Sequence, residues 1–148
     1  MTNGTDYTFE NLLDVAKGQA ALEENAIEEL TQKINDQSQE VKQTQLLFID
    51  TDMHVLQVWC EFVFNKCHSW ILNQVIERKY DLYLLCNIDQ PWVKDELREY
   101  PDLETREKLY KHYKEIMTNQ RVPWIDITGN YDERLLKAIH AIDQLANT

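Results

Sequence analysis

Two short segments carry residue types whose spacing suits phosphoryl chemistry. In Asp89-Gln-Pro-Trp-Val-Lys-Asp-Glu-Leu-Arg98, Pro91 restricts the backbone, Trp92 offers a flat stacking face and Arg98 can neutralise charge on a transferring phosphoryl group, with Asp89 and Asp95 beside them. Arg106, on the polar stretch that follows, is a candidate for a second positive contact. The other segment is Asp50-Thr-Asp52, where a carboxylate can hold a metal-bound water or take a proton from a hydroxyl nucleophile. Each segment also has a plain structural reading. Acids are common where a strand gives way to a helix, so Asp52 as a helix cap and Asp50 as a strand end must be weighed. The Asp89–Arg98 stretch, similarly, reads as a charged turn with a half-buried Trp.

The elements that must position these residues follow from periodicity. Thr8 is a plausible N-cap for a long helix with Phe9, Leu13, Ala16, Ala20, Ile27, Leu30 and Ile34 on one stripe. Residues 35–45 are too polar for a core. Leu46-Leu-Phe-Ile-Asp50 reads as a buried parallel strand ending in acid. Thr51 or Asp52 then caps a helix from about Met53 to Asn65 with Val55, Val58, Trp59 and Phe62 inward, and Ser69 caps another with Leu72, Val75 and Ile76 inward. A second strand, Asp81–Cys86, precedes the Asp89–Arg98 segment. A polar helix from about Leu103 to Met117, a third strand over Trp124–Thr128, a turn at Gly129-Asn130 and a final helix with Leu135, Leu136, Ile139, Ile142 and Leu145 complete the chain. Strands separated by helices predict an α/β fold, a parallel sheet with helices on both faces, built as a single domain over residues 1–148.

Composition narrows the function classes. A length of 148 residues with 43% hydrophobic content suffices for one core, and a net charge of −11 repels phosphate backbones and anionic lipid. Neither nucleic acid nor a membrane surface is an expected partner. Cys60, Cys67 and Cys86 are odd in number and lack C-x-x-C spacing, and no targeting segment or membrane-length apolar run is present, so a reduced, cytoplasmic protein is expected. The histidines show no metal-ligand spacing.

Taken together, Leu46 to Asp52, Tyr80-Asp81 and Asp89 to Arg98 resemble the ribosylnicotinamide kinase domain of the NadR-type NAD-salvage proteins, within the P-loop NTPase superfamily. The similarity begins near Tyr7-Thr-Phe-Glu-Asn-Leu-Leu and Gly18-Gln19 and ends at Thr128-Gly129 and Glu133-Arg134-Leu135; the D-x-P-W-x-x-D-x-x-R string is its specific part. The resemblance implies a three-layer α/β/α fold and transfer of the γ-phosphate of ATP, with magnesium, to the 5′-hydroxyl of nicotinamide riboside. It implies metal or base roles for Asp50 and Asp52, lid arginines at Arg98 and Arg106, and enclosure of the nucleoside by Asp89, Trp92 and Asp95. One departure is large. The chain has only Gly4, Gly18 and Gly129 and no Gly-Lys-Ser/Thr, so the G-x-x-x-x-G-K-[ST] loop that cradles the phosphates is missing, and by the family's layout it lies upstream of residue 1. That layout also puts the loop's strand between the strands at Leu46–Asp50 and Leu82–Cys86. The expectation is a chain inactive alone whose open edges are closed by rearrangement, self-association or a strand from another polypeptide.

Two other readings remain open on the residues. Phe48-Ile-Asp-Thr-Asp52 fits the apolar-D-x-D signature of a haloacid-dehalogenase-like phosphatase, although Cys86-Asn87 stands where that family expects Thr or Ser. The long first helix and acidic surface also suit a non-catalytic α/β interaction module.

Overall fold

A computed structural model describes residues 7–36, 45–91 and 102–146 and resolves the chain into two compact units, residues 1–78 and 79–148. In the first unit three helices pack: α1 (Phe9–Asp36), α2 (Met53–Phe64) and α3 (Ser69–Glu77). Thr8 caps α1 as expected, its hydroxyl accepting from Asn11 N–H (3.2 Å) while its own N–H donates to Asn11 Oδ1 (2.9 Å). The stripe on α1 is apolar and small where it meets its neighbours. Ala16 and Ala20 are buried and let Met53, Leu56, Cys60 and Ile71 approach the helix to form the core. Past that point the stripe surfaces, and Ile27 and Ile34 are 46% and 51% exposed.

Asp52, not Thr51, caps α2, accepting from Val55 N–H at 3.0 Å, and Asn65 ends the helix in the left-handed conformation at φ 54°. Ser69 is the first residue of α3 rather than its cap. The cap is His68, whose ring is occupied elsewhere: it stacks on Phe9 at 3.6 Å and its Nε2 lies 3.0 Å from the Phe9 carbonyl. Arg78, just past α3, ties the unit together by reaching Glu23 (3.0 Å), Glu24 (2.7 Å) and Gln74 (3.0 Å). Buried charge is tolerated there because it is paired and hydrogen-bonded.

The expected strand at Leu46–Asp50 does not form. Residues 45–49 have no regular secondary structure, with Leu46, Leu47 and Phe48 51%, 40% and 67% exposed. A strand is a relation between two backbones, and no neighbour for this one exists among the described residues. Among the described residues the sheet accordingly has two strands where the sequence reading has three.

In the second unit β1 (Tyr83–Cys86) and β2 (Trp124–Ile127) pair in parallel, Tyr83 opposite Trp124 and Cys86 opposite Ile127, joined through α4 (Leu103–Asn119) as a βαβ unit. Asp102 caps α4 by accepting from Thr105 N–H at 2.8 Å. Helix α5 (Tyr131–Ala146) begins with a reciprocal cap: Asn130 N–H donates to Glu133 Oε2 (2.8 Å) and Glu133 N–H to Asn130 Oδ1 (3.0 Å). The fold is α/β and mostly helical, and no described helix is long and apolar enough to cross a membrane.

Candidate functional site at the strand ends

Parallel strands deliver their C-terminal loops to one edge, where ligands of open α/β sheets bind. Here that edge carries Asn87–Gln90 after β1 and Thr128–Asn130 after β2. Arg134, one turn into α5, holds both loops: its Nε donates to Gly129 O (2.9 Å), its Nη2 donates to Asn87 O (2.8 Å), and the same nitrogen pairs with Asp89. Asp89 Oδ2 accepts from Gly129 N–H at 2.7 Å, and Gln90 Nε2 donates to Gly129 O. The Gly129 hydrogen bond, helped by Arg134, holds the Asp89 carboxyl below its usual range. Gly129 is required because its φ is +103° and a Cβ would stand 2.9 Å from Glu133 Cβ.

Arg106 enters the same edge from α4, its Nη2 donating to Ile88 O (3.2 Å) and Gln90 O (3.4 Å). One turn later the Tyr110 hydroxyl donates to Asp126 Oδ2, while Asn87 Nδ2 donates to Asp126 Oδ1 (3.0 Å) and to Tyr110 (2.8 Å), and Lys114 lies 3.5 Å from Asp126. Burial pushes the Asp126 carboxyl up, but these hydrogen bonds outweigh it and leave the group below its ordinary value. Burial, with Asp126 beside it, raises the Tyr110 hydroxyl. Lys137 closes the edge by donating to Thr128 O (2.9 Å) and Thr128 Oγ1. The network pins α4 and α5 to the loops they flank.

Of the residues singled out in the sequence, Asp89 and Arg106 come to this edge, whereas Trp92, Asp95 and Arg98 lie outside the described residues. Asp50 and Asp52 belong to the first unit. Asp50 is exposed; Asp52 is 8% exposed, and its Oδ2 accepts no hydrogen bond among the described residues. Burial raises the Asp52 carboxyl above its ordinary value, more than the Val55 hydrogen bond lowers it. No group of three or more His, Cys, Asp or Glu that could hold a metal is present among the described residues. Burial and the neighbouring Cys60 thiol push the Cys67 thiol up to about 12, which favours its neutral form.

The cap and the raised Asp52 carboxyl make a testable pair. Asp52→Ala should lose about 1 kcal/mol with the cap, whereas Asp52→Asn keeps an oxygen for Val55 N–H. Because the folded value is raised, the favourable contribution of Asp52 is full below the unfolded value of about 3.9 and is lost as pH rises through the folded value. The Asp52→Asn variant should therefore gain on the wild type at neutral pH, with the gap closing in acid. Urea melts at several pH values measure it, and a gap that widens in acid would contradict it.

Sequence reasoning did not assign Arg134, Asn87, Asp126 or Lys137 to the site. An acid in the middle of an apolar strand, Asp126, was the available signal.

The family model described as an AAA domain matches residues 3–134. Two curated relatives, the trifunctional NAD biosynthesis/regulator proteins NadR of Salmonella typhimurium (strain LT2) and Escherichia coli (strain K12), are each 24% identical over 99 residues, covering 66% of this chain and 24% of theirs. The chain thus spans about a quarter of the length of these relatives.

Proposed function

From a chain that belongs to the AAA domain family of P-loop NTPases, we propose a ribosylnicotinamide-kinase-like domain acting in NAD salvage in the cytoplasm. The carrying observation is a family match that runs across both Asp50-Thr-Asp52 and Asp89–Arg98. In this reading the intact domain is a three-layer α/β/α fold that passes the ATP γ-phosphate to the 5′-hydroxyl of nicotinamide riboside. Asp50, exposed and without a helix-capping duty, accepts the proton of the hydroxyl. Asp52 holds the start of α2 in place; Asp50, which is exposed, and Asp52, whose buried Oδ2 accepts no hydrogen bond among the described residues, are the carboxylates that would hold a magnesium ion. Such an ion would supply charge neutralisation at the phosphates. Asp89 and Arg106 shape the wall at the strand ends. Trp92 and Asp95 enclose the nucleoside, and Arg98 meets the phosphates.

The residues present do not fit a triphosphate. With glycines only at 4, 18 and 129 and no Gly-Lys-Ser/Thr, the chain has no cradle of backbone N–H groups and lysine. In this reading the chain by itself does not transfer phosphate. The sheet supports the same view: Tyr83 N–H donates to Pro123 O and Asn87 N–H to Ile127 O, so by the alternation of a parallel ladder Leu84 and Cys86 present their backbone groups to the opposite edge of β1. A strand supplied by self-association or by another segment would cover that edge.

Calorimetric titration with ATP–magnesium should give no heat of binding at millimolar nucleotide, and tight binding would overturn the inactivity. Mixing with a polypeptide that carries a strand and a G-x-x-x-x-G-K-[ST] loop should restore phosphorylation of nicotinamide riboside. If a folded complex forms and the riboside stays unphosphorylated, the kinase reading fails. A compact monomer by light scattering, with the Leu84 and Cys86 amides protected and no added strand, counts against the open edge.

A further inference from the structure

The first unit holds two cysteines that the candidate site does not use. Cys60, in the second half of α2, is fully buried in the core with Met53, Leu56 and Ile71, and Cys67, just past the end of that helix, is half-buried against the same core. Asn65 turns the chain between them. Its left-handed φ of 54° ends α2, its N–H donates to Glu61 O at 3.0 Å, and the connection folds back until Cys67 meets Cys60. The two thiols are hydrogen-bonded to each other. The His68 backbone hydrogen-bonds to both sulfurs, and Cys67 Sγ lies 3.7 Å from His68 O.

A buried thiol by itself packs as a small apolar group. Two in contact, one of them partly open to solvent, make a dithiol. A disulfide needs side chains that converge and a sulfur–sulfur distance of about 2 Å. Convergence is present here, and the remaining approach falls to Cys67, which lies outside both helices and can shift without breaking a helical ladder.

We propose that Cys60 and Cys67 form a reversible intramolecular disulfide, with a peroxide as oxidant and a small dithiol as reductant. Cys67 attacks first, because Cys60 has no exposed surface. Its thiolate forms an S–O bond to one peroxide oxygen as the O–O bond breaks, and the departing hydroxide takes the proton Cys67 released, giving water and a sulfenic acid. Cys60 then attacks that sulfur. The S–S bond forms, the S–O bond breaks, and hydroxide leaves with the Cys60 proton as a second water. Two thiols have lost two electrons and two protons, and the peroxide has gained them. The dithiol reverses the change by exchange and ends as its own disulfide. Burial keeps Cys67 neutral at ordinary pH, so the first step is slow and the pair stays reduced except under sustained oxidant. That agrees with the cytoplasmic setting proposed above, where disulfides are transient. The inference does not depend on the kinase reading.

The test is hydrogen peroxide added to the folded chain carrying Cys86→Ser, which removes the exposed thiol of the second unit. Trypsin cuts after Lys66, between the two cysteines, so the disulfide joins peptides 43–66 and 67–78 until dithiothreitol separates them. That joined pair should be the main product, and neither thiol should then be alkylated on unfolding. With Cys67→Ser added, Cys60 should remain open to alkylation after the same treatment. Urea unfolding followed at Trp59 and Trp70 should move to higher urea in the oxidised form and return on reduction, because a cross-link over a short loop restricts the unfolded chain. Any of four results would overturn the proposal: both thiols still alkylated, Cys67 ending as sulfinic or sulfonic acid with no joined peptides, a bond between two copies of the chain, or an oxidised form that unfolds at lower urea than the reduced one.

Discussion

Arg134→Met should destabilise the second unit by about 3 kcal/mol while keeping most of the side-chain volume. The guanidinium, 14% exposed, donates to Asn87 O and Gly129 O, and removing it leaves Asn87 O without that donor and Gly129 O with Gln90 Nε2 in its place, so the two loops lose their shared tie. The loss should appear as faster hydrogen exchange at the β1 and β2 amides. Asp89 provides an independent readout. Its folded carboxyl sits below the ordinary value, so the stability it lends is present above about pH 3.9 and disappears as pH falls through the folded value. In the variant that carboxyl should titrate closer to an ordinary aspartate, without reaching it, because Gly129 N–H, the larger cause, still donates to it. Strand amides exchanging at the wild-type rate would remove Arg134 from its place as the clasp of the site.

Ile71→Ala should cost the first unit about 3 kcal/mol. Ile71 is fully buried where α3 meets α1 and α2, against Ala16 and Ala20, and these alanines cannot reach across to fill the space left behind. Urea unfolding followed at Trp59 and Trp70, which pack against this core, measures the loss. A cost below about 1 kcal/mol would mean that the three helices collapse around the cavity, and that the core is looser than its contacts imply.

The helices were legible because their signals are local. Thr8, Asp52 and Asp102 each cap a helix from within three residues, and β1 and β2 fall within the apolar runs seen at Asp81–Cys86 and Trp124–Thr128. Ser69 misled because capping depends on where the neighbouring side chain is needed, and His68 is needed on Phe9. The site was half legible. Asp89 and Arg106 stood out as charges after a strand and on a polar helix, but their present partners were invisible: Arg106 reaches back 16 and 18 residues, and Arg134 reaches 45 and 47.

What the sequence determined alone was the order of the described helices and of β1 and β2, the acidic balance of the chain and the family to which the two motifs point. Caps, apolar spacing and turn residues act within one or two turns of chain, so they can be read without a fold. Tertiary structure decided the rest. Leu46-Leu-Phe-Ile49 has every local property of a strand and is not one, because strand pairing requires a second backbone at hydrogen-bonding distance. In the same way, the charges of Asp89, Arg106 and Arg134 are committed to holding two loops together only because parallel pairing of β1 with β2 brings those loops to one edge.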